Sequence, residues 1–371
     1  MKKLGFGLMR LPTTDPEDQK TVDLEKVIKM IDCFIEQGFS YFDTGWWYHG
    51  GISEVSFRKA IAERYPRDKF TIADKMPLWH ITGNADYQKF FSEQQKRCGV
   101  EYFDYYLLHG MDNNNYDETL KYGGFEFVRK LKSDNKARKI GFSFHDKADV
   151  LERILSGQKY MDFVQLQINY LDWDDHRIQS RECYEVALKH NIPIYVMEPV
   201  KGSCLAALPA EAAELLKSYD KTASAASWAL RFAASLENVA LVLSGMNSME
   251  QVIDNMAVMK DPKPLDKDEH EIIKQVVDII KSKIKIPCTY CRYCIGNCPN
   301  KIPIPRYLSL YNEQYTFGLL FSLVRAYNIV SANAGKAFEC TGCGQCEKQC
   351  PQHIPIIESL KEFSLVFEKN R

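Results

Sequence analysis

Over residues 1 to about 260, short apolar runs alternate with stretches of helical period. Eight runs rich in β-branched and aromatic residues end on a polar residue or glycine: LGFGLMR, YFDTG, FTIADK, DYYLLHG, IGFSF, FVQLQINY, IPIYVMEP and VALVLSG. Between them the pattern predicts helices over 23–37, stopped by Gly38, and over 53–64, with Ser53 as N-cap. Further helices are expected near 86–98, 117–133, 146–156, 175–190, 222–235 and 248–258. The glycines of GFG and the pairs at 50–51 and 123–124 read as turns. Strict alternation of strand and helix predicts a parallel sheet with right-handed crossovers. Eight such units over this length fit a closed (β/α)8 TIM barrel, an α/β fold, better than an open sheet.

The pattern breaks at DPKPL, residues 261–265. The stretch 261–286 reads as a linker and an amphipathic helix, and 287–371 as a small, mainly helical domain. Helical character is expected over 307–330 and 357–368. This last domain carries Cys288, Cys291, Cys294 and Cys298 followed by Pro299, a C-x2-C-x2-C-x3-C-P run. Cys340, Cys343, Cys346, Cys350 and Pro351 repeat it 52 positions later, and the tails CPNKIPI and CPQHIPI match as well. This is the ferredoxin-type pattern for two 4Fe–4S clusters, in which the fourth cysteine of each run ligates the cluster of the other run. Paired C-x2-C also binds zinc, but three cysteines at successive spacings of three plus Cys-Pro fit a single zinc ion poorly.

Length and composition narrow the class. A chain of 371 residues, 45% apolar and 26% charged, is expected to form about two soluble globular domains. With 48 Lys and Arg against 49 Asp and Glu, the net charge of -1 offers nothing to nucleic acid or an anionic membrane. The start MKKLGFGLMRLP has no apolar stretch long enough for a signal peptide. The most apolar later stretch, 317–330, is too short to span a bilayer and contains Arg325. A cytoplasmic protein is therefore expected, and eight of twelve cysteines in cluster runs suit a reducing compartment. Cys33, Cys98, Cys183 and Cys204 read as ordinary thiols.

In a barrel of this kind, chemistry sits where strands end and the following loops begin. Those positions hold Asp43, Tyr48, Lys75 and His109, each directly after an apolar run or in its loop. Together they are expected to assist the reduction of a carbonyl by a hydride donor. A phenol acidified by a nearby ammonium would protonate the oxygen as hydride arrives. The expected roles are Tyr48 as general acid, Lys75 as its cationic neighbour, Asp43 as the charge balance for that lysine, and His109 as the group aligning the oxygen. Taken singly, each has a plainer reading: a turn-capping aspartate, a snorkelling lysine, a structural histidine, an aromatic packing cluster around Trp46 and Trp47. Trp46, Trp47, Trp79, His80 and Trp173 suggest a partly apolar pocket for a small substrate.

Residues 1 to about 260 resemble the aldo/keto reductase family. FDTGWWYH looks like its Asp-plus-Tyr motif, Lys75 and His109 match its lysine and histidine in order, and LGFGLMRLP and SGMNSMEQVIDN are similar to its first and last strands. The resemblance implies a nicotinamide cofactor, NADP or NAD. Ser143 and Gln167 would hold the carboxamide, Met197 would cover the ring, and Gly245, Met246, Gln251 and Asn255 would flank the phosphates. The family usually has asparagine where Phe144 stands, tyrosine at Met197, and lysine and arginine at Gly245 and Gln251. No G-x-G-x-x-G follows a strand.

Hydride carries two electrons and a 4Fe–4S cluster ordinarily takes one, so joining the two halves leaves room for a flavin as converter. Three readings stay open. The first is an oxidoreductase acting on a small carbonyl or alcohol, its clusters serving as a relay or exchanging electrons with a ferredoxin-like partner. The second is an electron-transfer module whose barrel is a binding body. The third leaves the clusters a purely structural role.

Overall fold

The computed structural model describes residues 2–15, 18–296 and 298–368. The chain divides into two compact units, Met1–Pro199 with Ala226–Leu265, and Val200–Ala225 with Asp266–Arg371. The first unit is a closed barrel of eight parallel strands in sequence order. They are β1 (Leu4–Gly7), β2 (Tyr41–Asp43), β3 (Thr71–Met76), β4 (Phe103–Met111), β5 (Ala137–Phe144), β6 (Phe163–Gln167), β7 (Ile194–Met197) and β8 (Val239–Gly245). All eight coincide with the apolar runs of the sequence.

Large and small side chains share the barrel interior. Tyr41, Tyr105, Phe163 and Tyr195 fill it, with Phe163 and Tyr195 ring centroids 4.7 Å apart. Gly5, Ala73 and Gly141 on intervening strands leave room for those rings. A Cβ on Gly5 would lie 2.7 Å from Leu243 and 2.9 Å from Tyr41. The GFG segment is thus not a turn but the body of β1, where glycine permits the close approach of its neighbours.

Helices cover the outside. Leu24–Glu36 starts at Asp23, whose carboxylate accepts from the Lys26 N–H at 3.1 Å. Ser53 does not cap its helix as expected. His49, Gly50 and Gly51 take left-handed backbone angles, so the chain curls before the helix and Ser53 becomes its first residue. Its buried hydroxyl donates to the Leu8 carbonyl at 3.0 Å and pairs with the Thr44 hydroxyl at 2.8 Å, tying the ends of β1 and β2 together. The helix expected over 117–133 is two, Asn113–Lys121 and Gly124–Ser133, separated where Gly123 adopts φ 73°.

In the second unit, helix Ala210–Tyr219, not anticipated from the sequence, packs on Lys267–Ser282, and Glu211 pairs with Lys283 at 3.2 Å. The helical stretch 307–330 is again two helices, Ile304–Phe317 and Phe321–Ser331, parted at Gly318 (φ 81°). Ile356–Phe367 completes the core, with Phe363 stacked on Tyr307 at 4.7 Å. Among the described residues, no helix is long and apolar enough to cross a membrane.

A Cβ on Gly141 would collide with the Phe163 carbonyl oxygen and lie 2.8 Å from the Phe163 ring. Backbone cannot swing aside, so Gly141→Ala should destabilise the protein by about 1–3 kcal/mol, measured as a lowered midpoint of chemical unfolding.

Candidate active site and cluster cavities

The C-terminal ends of β2, β3 and β4 supply the centre. Lys75, on β3, is almost wholly buried and donates to the Asp43 carboxylate and to the Thr44 carbonyl, the latter at 2.6 Å. Gln165, on β6, reaches the other Asp43 oxygen at 3.4 Å. Tyr48 lies in the loop after β2, and the Lys75 ammonium stands 4.7 Å from the centre of its ring. The His109 ring, on β4, meets Tyr48 edge-on at 6.0 Å. Gly45 makes this approach feasible: a Cβ there would sit 3.3 Å from Tyr48 and 3.5 Å from His109. The four residues singled out in the sequence therefore converge. Trp79 packs on His109 at 4.8 Å and leaves 49% of its surface exposed.

The charges are set by burial and by neighbours. Burial works against the Lys75 ammonium, but the Asp43 carboxylate and then Tyr48 outweigh it, and the pKa lies above the ordinary lysine value. Burial, reinforced by Lys75 and His145, pushes His109 well below the ordinary histidine value, so its ring is neutral at physiological pH. Among the described residues, His109 Nδ1 has no hydrogen-bond partner.

Behind Lys75 lies a second polar network that sequence reasoning missed. The Lys75 N–H donates to Asp74 at 2.8 Å, and its carbonyl accepts from Gln94 at 3.0 Å. Gln94 also donates to Glu54 at 3.1 Å and accepts from Tyr106 O–H. Glu54 pairs with Arg97 at 2.8 Å, and Arg97 lies over the Trp46 ring at 4.4 Å. Both peptide groups of Lys75 and the loop carrying Tyr48 are thereby tied to one buried cluster. Burial and then the neighbouring Glu54 hold the Asp74 carboxyl well above the carboxylate range. Period and motif do not reveal such a cluster, because its members come from separate elements.

The residues expected around a nicotinamide all lie at this end of the barrel, but some are engaged. Ser143 accepts from the Gly110 N–H at 2.8 Å, and the Gln167 amide donates to Asp172 at 3.0 Å. Met197 ends β7 half-buried, and Glu198 follows it at φ 54°. Gly245 is covered by the Arg10 stem, 2.9 Å from where a Cβ would be, and Arg10 faces Glu198 at 3.8 Å. Met246 is buried; Asn255 donates to Ser244 at 2.9 Å; Gln251 accepts from the Asn247 N–H at 2.9 Å. Ser248 caps the helix Met249–Met259. Trp173 packs on Tyr184 and Phe232 at 5.4 and 5.5 Å.

The eight cysteines of the two runs line two matched cavities. One is bounded by Cys288, Cys291, Cys294 and Cys350. The other is bounded by Cys340, Cys343, Cys346 and Cys298. Each joins three thiols of one run to the fourth of the other, as ferredoxin-type ligation requires. Among the described residues, no group of three or more His, Cys, Asp or Glu is placed to hold a single metal ion. Thiols spread around a cavity fit an inorganic cube rather than zinc, whose sulfur ligands meet at one point about 2.3 Å away.

Comparison with known proteins decides the family. The aldo/keto reductase family profile matches residues 3–278. The chain belongs to the aldo/keto reductase family. A 4Fe–4S dicluster domain matches residues 287–354. This aldo/keto reductase is 24% identical over 204 residues to a 9,11-endoperoxide prostaglandin H2 reductase of Trypanosoma cruzi, a match covering 54% of the chain and 62% of that relative's length. Its fold is that of an aldo-keto reductase from Bacillus halodurans in the holo form (TM-score 0.59, 23% identity, 74% of this chain and 91% of that one). An aldo-keto reductase from Klebsiella pneumoniae in complex with NADPH is similar too (TM-score 0.59, 18% identity, 74% and 90%). These comparisons do not support the flavin considered from electron count.

Removing the lysine would strand a buried carboxylate. Lys75→Met should lower stability by about 3–5 kcal/mol, and adding Asp43→Asn should restore most of the loss, measured by chemical unfolding of both variants.

Proposed function

We propose that this chain is an NAD(P)-linked oxidoreductase that reduces a small carbonyl, or oxidises the corresponding alcohol, at the mouth of its barrel. The observation that carries the reading is the convergence of Tyr48, Lys75, Asp43 and His109 on one strand-end site. The nicotinamide would supply hydride. Tyr48 would give its proton to the carbonyl oxygen, and the Lys75 ammonium, held charged by Asp43, would stabilise the phenolate left behind. Neutral His109 can hold the oxygen without adding a second positive charge beside Lys75. Trp79 and Trp47, each about half exposed, would border the substrate and exclude water.

The cofactor residues fit a dinucleotide in part. The Ser248-capped helix start offers backbone donors for phosphate, and the Arg10 stem crosses Gly245 with its guanidinium 3.8 Å from Glu198. Arg10 would thus stand in for the lysine and arginine absent at Gly245 and Gln251, which favours NADP. Ser143 and Gln167 would need to trade their present partners for the carboxamide. The dicluster domain would pass electrons one at a time to or from an outside carrier such as a ferredoxin.

The test is turnover of NADPH with small aldehydes and ketones by the anaerobically prepared full chain. Tyr48→Phe should lower kcat at least about a hundredfold with cofactor binding retained. Because His109 is already neutral, kcat should show no inflection at the ordinary histidine value near 6.5. Full activity of the Tyr48→Phe protein would overturn the assignment.

A further inference from the structure

The two cluster loops are copies, and their backbones agree at the most restrictive positions. Tyr290 and Arg292 take φ 59° and 68°; their counterparts 52 residues later, Gly342 and Gly344, take φ 68° and 71°. Lys301 and His353 correspond likewise, at φ 51° and 49°. The loop therefore needs left-handed angles that suit glycine, and the second run provides glycine at two of them. The first run places a tyrosine and an arginine there instead. Large side chains in this conformation are disfavoured, and such departures concentrate where a side chain has work to do.

The cavities agree residue for residue in most of their walls. Thr289 matches Thr341, Leu308 matches Leu360, and Ile354 and Ile356 match Ile302 and Ile304. The burial of the ligands matches too: Cys291 and Cys343 are exposed, Cys294 and Cys346 buried. Among the described wall residues of the two cavities, one carries a charged side chain, Arg292, standing where the other cavity has Gly344. An acid adjoins the second cavity: Glu347 follows Cys346 at the position of Ile295 in the first run, and its carboxylate accepts from the Ile357 N–H at 2.8 Å.

Reduction adds one negative charge to a cluster, and a nearby cation favours that state while an anion opposes it. We propose that Arg292 makes the two clusters inequivalent, so that the cluster held by Cys288, Cys291, Cys294 and Cys350 is the more easily reduced. The inference rests on the dicluster assignment and not on the chemistry of the barrel. An electron entering the domain from a one-electron donor settles beside Arg292. The cluster beside Glu347 is the stronger reductant.

The test is potentiometry of the anaerobically reconstituted full chain, followed by electron paramagnetic resonance at low ionic strength, where an exposed charge is least screened. Wild type should show two separate potentials, closing toward each other as salt is added. Arg292→Gly should lower the higher potential, leave the lower one in place and narrow the gap. Glycine adopts the required angle freely, so this variant should fold at least as well as wild type. Arg292→Lys, which keeps the charge, should retain most of the gap. Unchanged potentials in Arg292→Gly, or a shift confined to the lower one, would overturn the proposal. Iron and sulfide contents below two clusters per chain would overturn it together with the cluster assignment, and they distinguish that failure from an absent shift.

Discussion

A lysine can be carried into a barrel only if its charge is met there, and Asp43 meets that of Lys75. The pair is buried on two adjacent strands, with the Thr44 carbonyl and Gln165 as further hydrogen-bond partners. A buried pair of this kind adds little stability over an apolar core, while losing one partner is costly. Its value to the protein lies in position. It fixes an ammonium beside the Tyr48 ring, and that charge adds to burial, the larger cause, in keeping His109 neutral. The network of Asp74, Gln94, Glu54 and Arg97 serves the same end from behind, holding both peptide groups of Lys75 and bracing the Trp46 side of the Tyr48 loop.

How much of this is legible in the chain follows from what each signal encodes. Barrel strands are buried on both faces and read as apolar runs, so all eight stand out, and the polar residue ending each run marks the mouth. Asp43, Lys75 and His109 are visible for that reason. Turn geometry is less visible. Ser53 looks like a cap, but the left-handed turn at His49–Gly51 moves it inward, and Gly123 and Gly318 split stretches whose period alone reads as continuous. The Glu54–Asp74 cluster leaves no trace because its members are far apart in sequence and each alone resembles a surface charge. Arg10 is hidden for the same reason: only the folded barrel brings it over Gly245.

The cluster domain is read more completely, because its ligands are fixed by covalent chemistry rather than by packing. The spacing names the fold of each loop, the repeat names the partner of each fourth cysteine, and the cavities join the thiols in that crossed arrangement. Duplication also makes deviation informative. Where two copies share backbone angles and wall residues, a single charged difference such as Arg292 against Gly344 stands out against an internal control. The proposed two-electron chemistry of the barrel and the one-electron steps open to the clusters would then share one polypeptide, which raises the question of which would deliver electrons to a carbonyl.

That question has a direct answer in isotope labelling. The anaerobically prepared full chain is incubated with NADPH carrying deuterium at both C4 positions and a small aldehyde or ketone, and the alcohol is analysed by mass spectrometry. Hydride transfer at the barrel mouth places one deuterium on the carbinol carbon. Alcohol that forms without the label, its hydrogen drawn from water after one-electron delivery, would contradict the account.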